Sequence, residues 1–483
     1  MDMILLAIFS IIFLILAIKR LDWALLLIIA ALPSYLIRFN IAGLPLTWLE
    51  VMIVTVGLVF VAKNYLKLAN NIKINWSKGA IGYRYPFDWE IALFLLVAFG
   101  AALVAGGTNS TSAGLSTGAL GIFKAYFFEA IFFYLVLVNV LGNKRENLPK
   151  MIWAVAISAL GVSLVAWYQG LVDMEFLNPV WSQQNPPRAT SFFPYANAVG
   201  LYLAPIIVLI VAYIKDLWIN CGQKRLYEII ALASIVLMSA LSVYFARSEG
   251  AMLGVLVGVV IIGLFSSPSA PLRTGAMKIG VIGLLLALAL VMAYPQTRAL
   301  VYEKATLSDL AGEIRKQQWR ETRKMLMSSP QNFFLGVGLS NYPEAVKPFH
   351  QEGIFYDFDR DPDFQKNLKA SAEYRATHWQ PVDVYQYPHN IFLNFWSELG
   401  LLGMLLFGWL LLKFLYYASL LYSKTGDFLA LGLLASMICV LVHGLVDVPY
   451  FKNDLSVLWW LLFAMLATLK LHYERSITKN NRR

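Results

Sequence analysis

Apolar runs recur along this chain from Met3 to Leu471, separated by short basic segments. A helix needs about 20 such residues to cross a bilayer core. The residues are 59% hydrophobic and 14% charged, against roughly 45–50% and about 25% in an ordinary soluble domain. That balance excludes a soluble globular enzyme. The fold class expected is an all-α integral membrane protein.

The predicted spans are 3–18, 22–37, 46–62, 89–105, 119–141, 151–172, 196–214, 227–245, 250–266, 277–294, 399–422, 428–447 and 455–471. They number 13, or 12 if the first two do not both span. The formal charge is +10, from 39 Lys+Arg and 29 Asp+Glu. Its excess sits in short loops, which is the positive-inside bias and no sign of nucleic acid. Placing Lys63–Arg84, Lys144–Lys150, Lys215–Arg225, Arg273–Lys278 and the tail Arg475–Arg483 in the cytoplasm agrees with the span count. The first apolar stretch has no basic residue before it and Lys19-Arg20 after it, the reverse of a signal peptide, and reads as a retained anchor. Cys221 falls in a basic loop and Cys439 in an apolar run, so no disulfide framework is available.

Three regions result: transmembrane helices over 1–294, an external domain over 295–388, and C-terminal transmembrane helices with a cytoplasmic tail over 389–483. The middle region is too long for a bare connection. Its first part, Leu307–Leu326, reads as an amphipathic helix, apolar at Leu307, Leu310, Ile314, Met325 and Leu326. Arg315, Lys316, Arg320, Arg323 and Lys324 form its basic face. A second external loop, Asp173–Tyr195, carries one basic residue, Arg188.

Polar residues at the outer ends of spans are informative, because burying them without partners is costly. His389-Asn390 stands between the external domain and a membrane helix, with Gly400 and Gly403 further on. An imidazole there can take a proton from a hydroxyl near neutral pH, or simply anchor a helix start. The two glycines suit close helix packing. Arg247 occupies the turn between two spans, and Arg188 leads into the span at 196. Either guanidinium is a fork suited to phosphate; the alternative is an interfacial anchor for Arg247 and a loop arginine for Arg188. Lys124 and Glu129 lie in one span, five residues and about 140° apart on an α-helix, so they are not expected to pair. His443 and Asp447, four apart, could meet on one helix face. Asp357–Asp363 starts like a calcium loop, but Pro362 replaces the needed glycine and Leu368 the bidentate glutamate. Gly336-Val-Gly338 lacks the third glycine of a nucleotide loop and reads as a packing turn. No metal and no cofactor is called.

His389-Asn390, nine residues, then Gly400-Leu-Leu-Gly403 resembles the external-loop pattern of the O-antigen ligase and O-antigen polymerase family of membrane glycosyltransferases. The span number and the one large external loop before the motif extend the resemblance across most of the chain. It implies a glycan carried on undecaprenyl pyrophosphate as donor, His389 as the general base, and Arg247 on the diphosphate. Family ligases carry Arg-x3-Leu near Arg247, whereas here the fourth residue on is Ala251 and the leucine is Leu253. Arg188 lies in a segment similar to a family Arg-x-x-Gly stretch, with Ser191 in place of the glycine. Lys124 is a further cation for the donor, and His443, Asp447 and Arg320 are secondary candidates.

The function expected is transfer of that glycan to an acceptor hydroxyl at the external face of a bacterial inner membrane, with inversion at the anomeric carbon. The acceptor is a lipid A core sugar for a ligase, the growing glycan for a polymerase, or a protein Ser/Thr for an O-oligosaccharyltransferase. A non-catalytic lipid-linked glycan transporter or binding protein is the alternative of another class. It would use the same arginines without a base at His389.

Overall fold

The structure, a computed structural model, describes residues 3–41, 44–75, 86–105, 118–142, 144–265 and 295–480. The predicted span 277–294 and the loop Arg273–Lys278 lie outside the described residues. In chain order the main helices are α1 (Met3–Lys19), α2 (Leu21–Ala30), α3 (Trp48–Asn75), α4 (Asp88–Val104) and α5 (Ala119–Val140). There follow α6 (Leu148–Leu171), α7 (Asn197–Cys221), α8 (Leu226–Phe245) and α9 (Glu249–Leu264). After them come α10 (Pro295–Ala305), α11 (Leu310–Leu326), α12 (Ile391–Thr425), α13 (Phe428–Gly444) and α14 (Asn453–Asn480).

The chain is an all-α membrane protein. Among the described residues, five helical stretches are long and apolar enough to cross a membrane: Ala119–Val140, Arg145–Leu171, Asn197–Phe245, Ile391–Thr425 and Asn453–Thr478. The third of these folds back at Gly222, whose φ of 55° lets the chain turn. Large apolar side chains such as Ile4, Leu58, Leu96, Leu237 and Leu412 point outward, while Glu90, Glu129, Asn394, Asp454 and Thr468 are buried. That polarity inverts the rule for water-soluble domains and fits a surrounding hydrocarbon.

The second predicted span, 22–37, is corrected. Its helix stops at Ala30, about 15 Å long at 1.5 Å per residue and too short to cross alone. Pro33 enters a 3-10 turn, Leu32–Leu36, and a hairpin follows that pairs β1 (Arg38–Ile41) with β2 (Leu44–Thr47). α3 then starts with a reciprocal cap. Thr47 N donates to Glu50 Oε2 at 2.8 Å, and Glu50 N to Thr47 Oγ1 at 3.3 Å.

α7 lies at the centre, packed on α6, α8, α9 and α13. Gly250, Gly254 and Gly258 give α9 one bare stripe at four-residue spacing, which allows backbones to approach closely. A Cβ at Gly254 would stand 2.8 Å from the Cys439 carbonyl oxygen on α13.

Between α9 and α12 the chain builds a small unit with its own apolar core of Met325, Leu326, Val337, Tyr342 and Val346, against which Trp396 of α12 packs. A two-stranded sheet pairs β3 (Gly353–Phe355) with β4 (Trp379–Pro381). The buried side of α11 departs from the sequence expectation. It consists of Gly312, Gln317, Gln318, Glu321, Thr322, Met325 and Leu326, so most of it is polar. Several of those groups make bonds that an apolar periodicity cannot reveal, while Gln317 Oε1 and Gln318 Nε2 have no partner among the described residues. Gln317 Nε2 donates to Glu321 Oε1 at 2.8 Å, and Thr322 Oγ1 meets the Tyr342 hydroxyl at 2.8 Å.

Candidate active site

The α8–α9 turn is the first component. Helix α8 ends at Phe245, and Arg247 takes a left-handed backbone (φ 49°) that reverses the chain into α9. This leaves the Arg247 side chain exposed. Arg188 braces the turn from the preceding loop. Its Nε donates to Ala246 O at 2.9 Å, and its Nη2 donates to Asn197 Oδ1 at 2.5 Å and to Arg247 O at 3.4 Å. Trp181 lies across the guanidinium, 5.4 Å from its ring centroid.

Asn197, at the start of α7, passes the contact on. Its Nδ2 donates to Asp447 Oδ2 at 3.0 Å, and Val448 N donates to Asp447 Oδ1 at 2.8 Å. The expectation that His443 and Asp447 share a helix face fails, because α13 stops at Gly444 and Asp447 belongs to the turn beyond. Both are buried. The ring of His443 lies against α9, where a Cβ on Gly250 would come within 2.7 Å of its Cδ2.

The second component is the start of α12. Asn390 caps it, accepting from Phe392 N at 3.1 Å and Leu393 N at 3.0 Å, and donates its amide to Leu445 O at 3.1 Å. The motif asparagine therefore ties the helix to the turn that carries Asp447. His389 stands just before the cap in a left-handed conformation (φ 45°), its Nδ1 2.9 Å from Gln318 Oε1. The rings of Tyr385 and Tyr387 meet it edge-on at 5.1 and 6.2 Å between centroids. Burial lowers the imidazole pKa below 6.5, helped by Arg315 and opposed by Asp447. Burial also raises Tyr387 to about 12, so its phenol stays protonated where the imidazole is free to accept.

Gly400 breaks α12. With φ 76° it has non-helical geometry, and a Cβ there would stand 2.3 Å from Phe334 O, at the end of the short helix Pro330–Leu335. Gly403 lies across that break, under Leu399. The expected contact between two straight helices is thus a kink, which seats the small unit between α9 and α12 on the membrane helix. Val337 N donates to Ser397 O at 2.7 Å and Ser340 N to Glu398 Oε2 at 2.6 Å. Gly336 and Gly338, both at positive φ, carry the chain over this seat.

In the sequence Arg315 is one residue of a basic face, and Gln318 carries no signal that separates it from its neighbours. The Nε of Arg315 donates to Val446 O at 3.0 Å, within electrostatic reach of His389, His443 and Arg188. Lys304 bonds Glu249 at 2.8 Å and Asp309 at 2.7 Å, so the starts of α9 and α11 are tied as well. Arg188, Arg247, His389, His443, Asp447 and Arg315 therefore converge on one end of the bundle. Arg320 is exposed, and no partner of its side chain is found among the described residues.

Lys124 stands elsewhere. Its ammonium lies 3.4 Å from Glu50 Oε1 and 3.7 Å from Glu129 Oε1. The expectation that Lys124 and Glu129 do not pair is corrected. Residues Phe123–Phe128 form a π-helical segment, whose i→i+5 turn places residues five apart one above the other.

A search of curated proteins finds no match for this chain. A family model described as O-Antigen ligase matches residues 233–408, from within α8 to within α12. Arg247, Arg315, Gln318, His389, Gly400 and Gly403 fall inside the match, whereas Lys124, Arg188, His443 and Asp447 fall outside it. Over this segment, less than half of the chain, the sequence is similar to the O-antigen ligase family.

Proposed function

We propose that the chain transfers a glycan from undecaprenyl pyrophosphate to an acceptor hydroxyl, at the external face of a bacterial inner membrane. The observation that carries this reading is the convergence of the His389 imidazole and three guanidiniums at the end of the bundle where the external unit is seated. A pyrophosphate-linked glycan already has a good leaving group. The protein must orient two substrates, neutralise the departing diphosphate and accept one proton.

His389 takes the proton of the acceptor hydroxyl as the oxygen attacks the anomeric carbon. The C–O bond to the diphosphate breaks, and the anomeric configuration inverts. Arg247, exposed and without a side-chain partner among the described residues, is the cation best placed to meet the diphosphate. Arg188 and Arg315 hydrogen-bond to carbonyl and amide oxygens, so their charge is offset by no direct ion pair. Lys124, held by two carboxylates, contributes least. The orientation is supported by the basic segments 144–150 and 215–225, at the helix ends opposite His389.

The acceptor is a lipid A core sugar, a growing glycan or a protein hydroxyl. A test incubates the purified protein with a lipid-linked oligosaccharide and each acceptor in turn. A new glycosidic bond with release of undecaprenyl pyrophosphate is expected with one of them. Donor binding or vesicle crossing with no new bond would instead mark a transporter.

A further inference from the structure

α11 meets the site with a single face. Arg315, Gln318 and Trp319 follow the i, i+3, i+4 spacing that stacks side chains on one side of a helix. Arg315 reaches Val446 O, and Trp319 Nε1 donates to Pro388 O at 2.9 Å. Between them Gln318, 4% exposed, sets its Oε1 2.9 Å from Nδ1 of His389. The residue before the histidine and the imidazole itself are thus gripped by consecutive side chains of the external unit.

A side-chain carbonyl oxygen can only accept, so an Nδ1 bonded to it carries the proton. A neutral imidazole has one N–H, which leaves the lone pair on Nε2. The opposite amide orientation would set an N–H against Nδ1, and it would become repulsive once the ring took up a second proton. The accepting orientation serves the imidazole both before and after proton transfer. We propose that Gln318 is a positioning residue, which fixes the Nδ1–H tautomer of His389 and leaves Nε2 as the nitrogen that receives the acceptor's proton. This rests on the reading of His389 as the base.

The choice of an amide also has a consequence for charge. The groups facing His389 are Arg315 from α11, Asp447 from the turn after α13, and the phenols of Tyr385 and Tyr387 from its own loop. A carboxylate at position 318 would orient the ring equally well but would add a negative charge beside the proposed diphosphate pocket and hold the imidazole protonated to higher pH. Glutamine gives the orientation without either effect.

The test uses the full-length purified protein, with transfer measured at saturating donor across the pH range. Gln318→Glu keeps the acceptor oxygen and the shape, and its acid limb is expected to move up by about one pH unit or more. Gln318→Met is expected to lower the maximal rate about ten- to a hundred-fold, with the KM for donor unchanged. An acid limb in Gln318→Glu identical to that of the wild type would overturn the proposal, as would an unimpaired Gln318→Met enzyme. Should the methionine variant fail to fold, the isosteric Gln318→Glu carries the test alone. His389→Ala, run alongside, separates the two levels. If it keeps transfer, the base assignment falls; if it is inactive while Gln318→Glu titrates like the wild type, only the positioning role falls.

Discussion

Two groups of buried or half-buried cations in this molecule are satisfied in opposite ways. Near His389, Arg188 and Arg315 donate to the carbonyls of Ala246 and Val446 and to the amide oxygen of Asn197. Asp447, a carboxylate that acts on both His389 and Arg188, is occupied by the Asn197 amide and Val448 N. At the start of α3 and α5, Lys124 faces Glu50 and Glu129 directly. Neutral acceptors fix a guanidinium in place and leave its charge to act on something else, whereas paired carboxylates consume it. The first arrangement is suited to an anionic ligand, the second to holding helices together.

The largest effect expected from breaking this contrast is at His389. His389→Ala should cost about 10²–10⁴ in transfer rate, with donor binding nearly unchanged, because the proposed base acts on the acceptor. Loss of donor binding in that variant would move His389 into the diphosphate contacts. Arg247→Ala should weaken donor affinity about ten- to a hundred-fold, the worth of charged hydrogen bonds. Arg247→Lys should recover only part of this, since an ammonium lacks the planar fork. A lysine variant of normal affinity would reduce Arg247 to an interfacial anchor.

Gly400→Ala should destabilise the protein by about 1–3 kcal/mol, because φ 76° disfavours a side chain and the Cβ would meet Phe334 O. Thermal unfolding in detergent measures it, and an unchanged midpoint would mean the small unit between α9 and α12 is not seated on this kink. Lys124→Met should lower stability, by leaving Glu50 facing Glu129, yet change transfer at most about fivefold. A greater loss of transfer than of stability would bring Lys124 back to the donor. Arg320→Ala, on the exposed side of α11, should shift stability by no more than about 0.5 kcal/mol.

Much of the bundle was legible because a single physical demand, covering a hydrocarbon core, writes itself as long apolar runs. The span 119–141 differs by one residue from α5, and 227–245 from α8. The departures have local causes. Pro33 stops the second span early, and the π-helical segment at Phe123–Phe128 brings Lys124 onto Glu129 against the α-helical count. His389, Arg247 and Arg188 stood out as polar residues at the ends of apolar runs. Gln318 did not, because an uncharged side chain in a polar stretch carries no periodic or charge signal. Its importance depends on which face of α11 turns inward, and that face is held by bonds to Gln351, Tyr342 and His389, remote in sequence.

The pH dependence of kcat/KM for transfer, measured in the wild type and in His389→Ala, tests the central claim most directly, because it reports the groups of the free enzyme. The base is competent only when unprotonated, so the rate should fall on acidification. Burial and Arg315 lower the imidazole pKa, so the midpoint should lie below the 6.5 of a free imidazole. The predicted result is one acid limb with such a midpoint in the wild type, and its absence from the residual activity of His389→Ala. The same limb persisting in the alanine variant would contradict the account, because some other group would then be taking the proton.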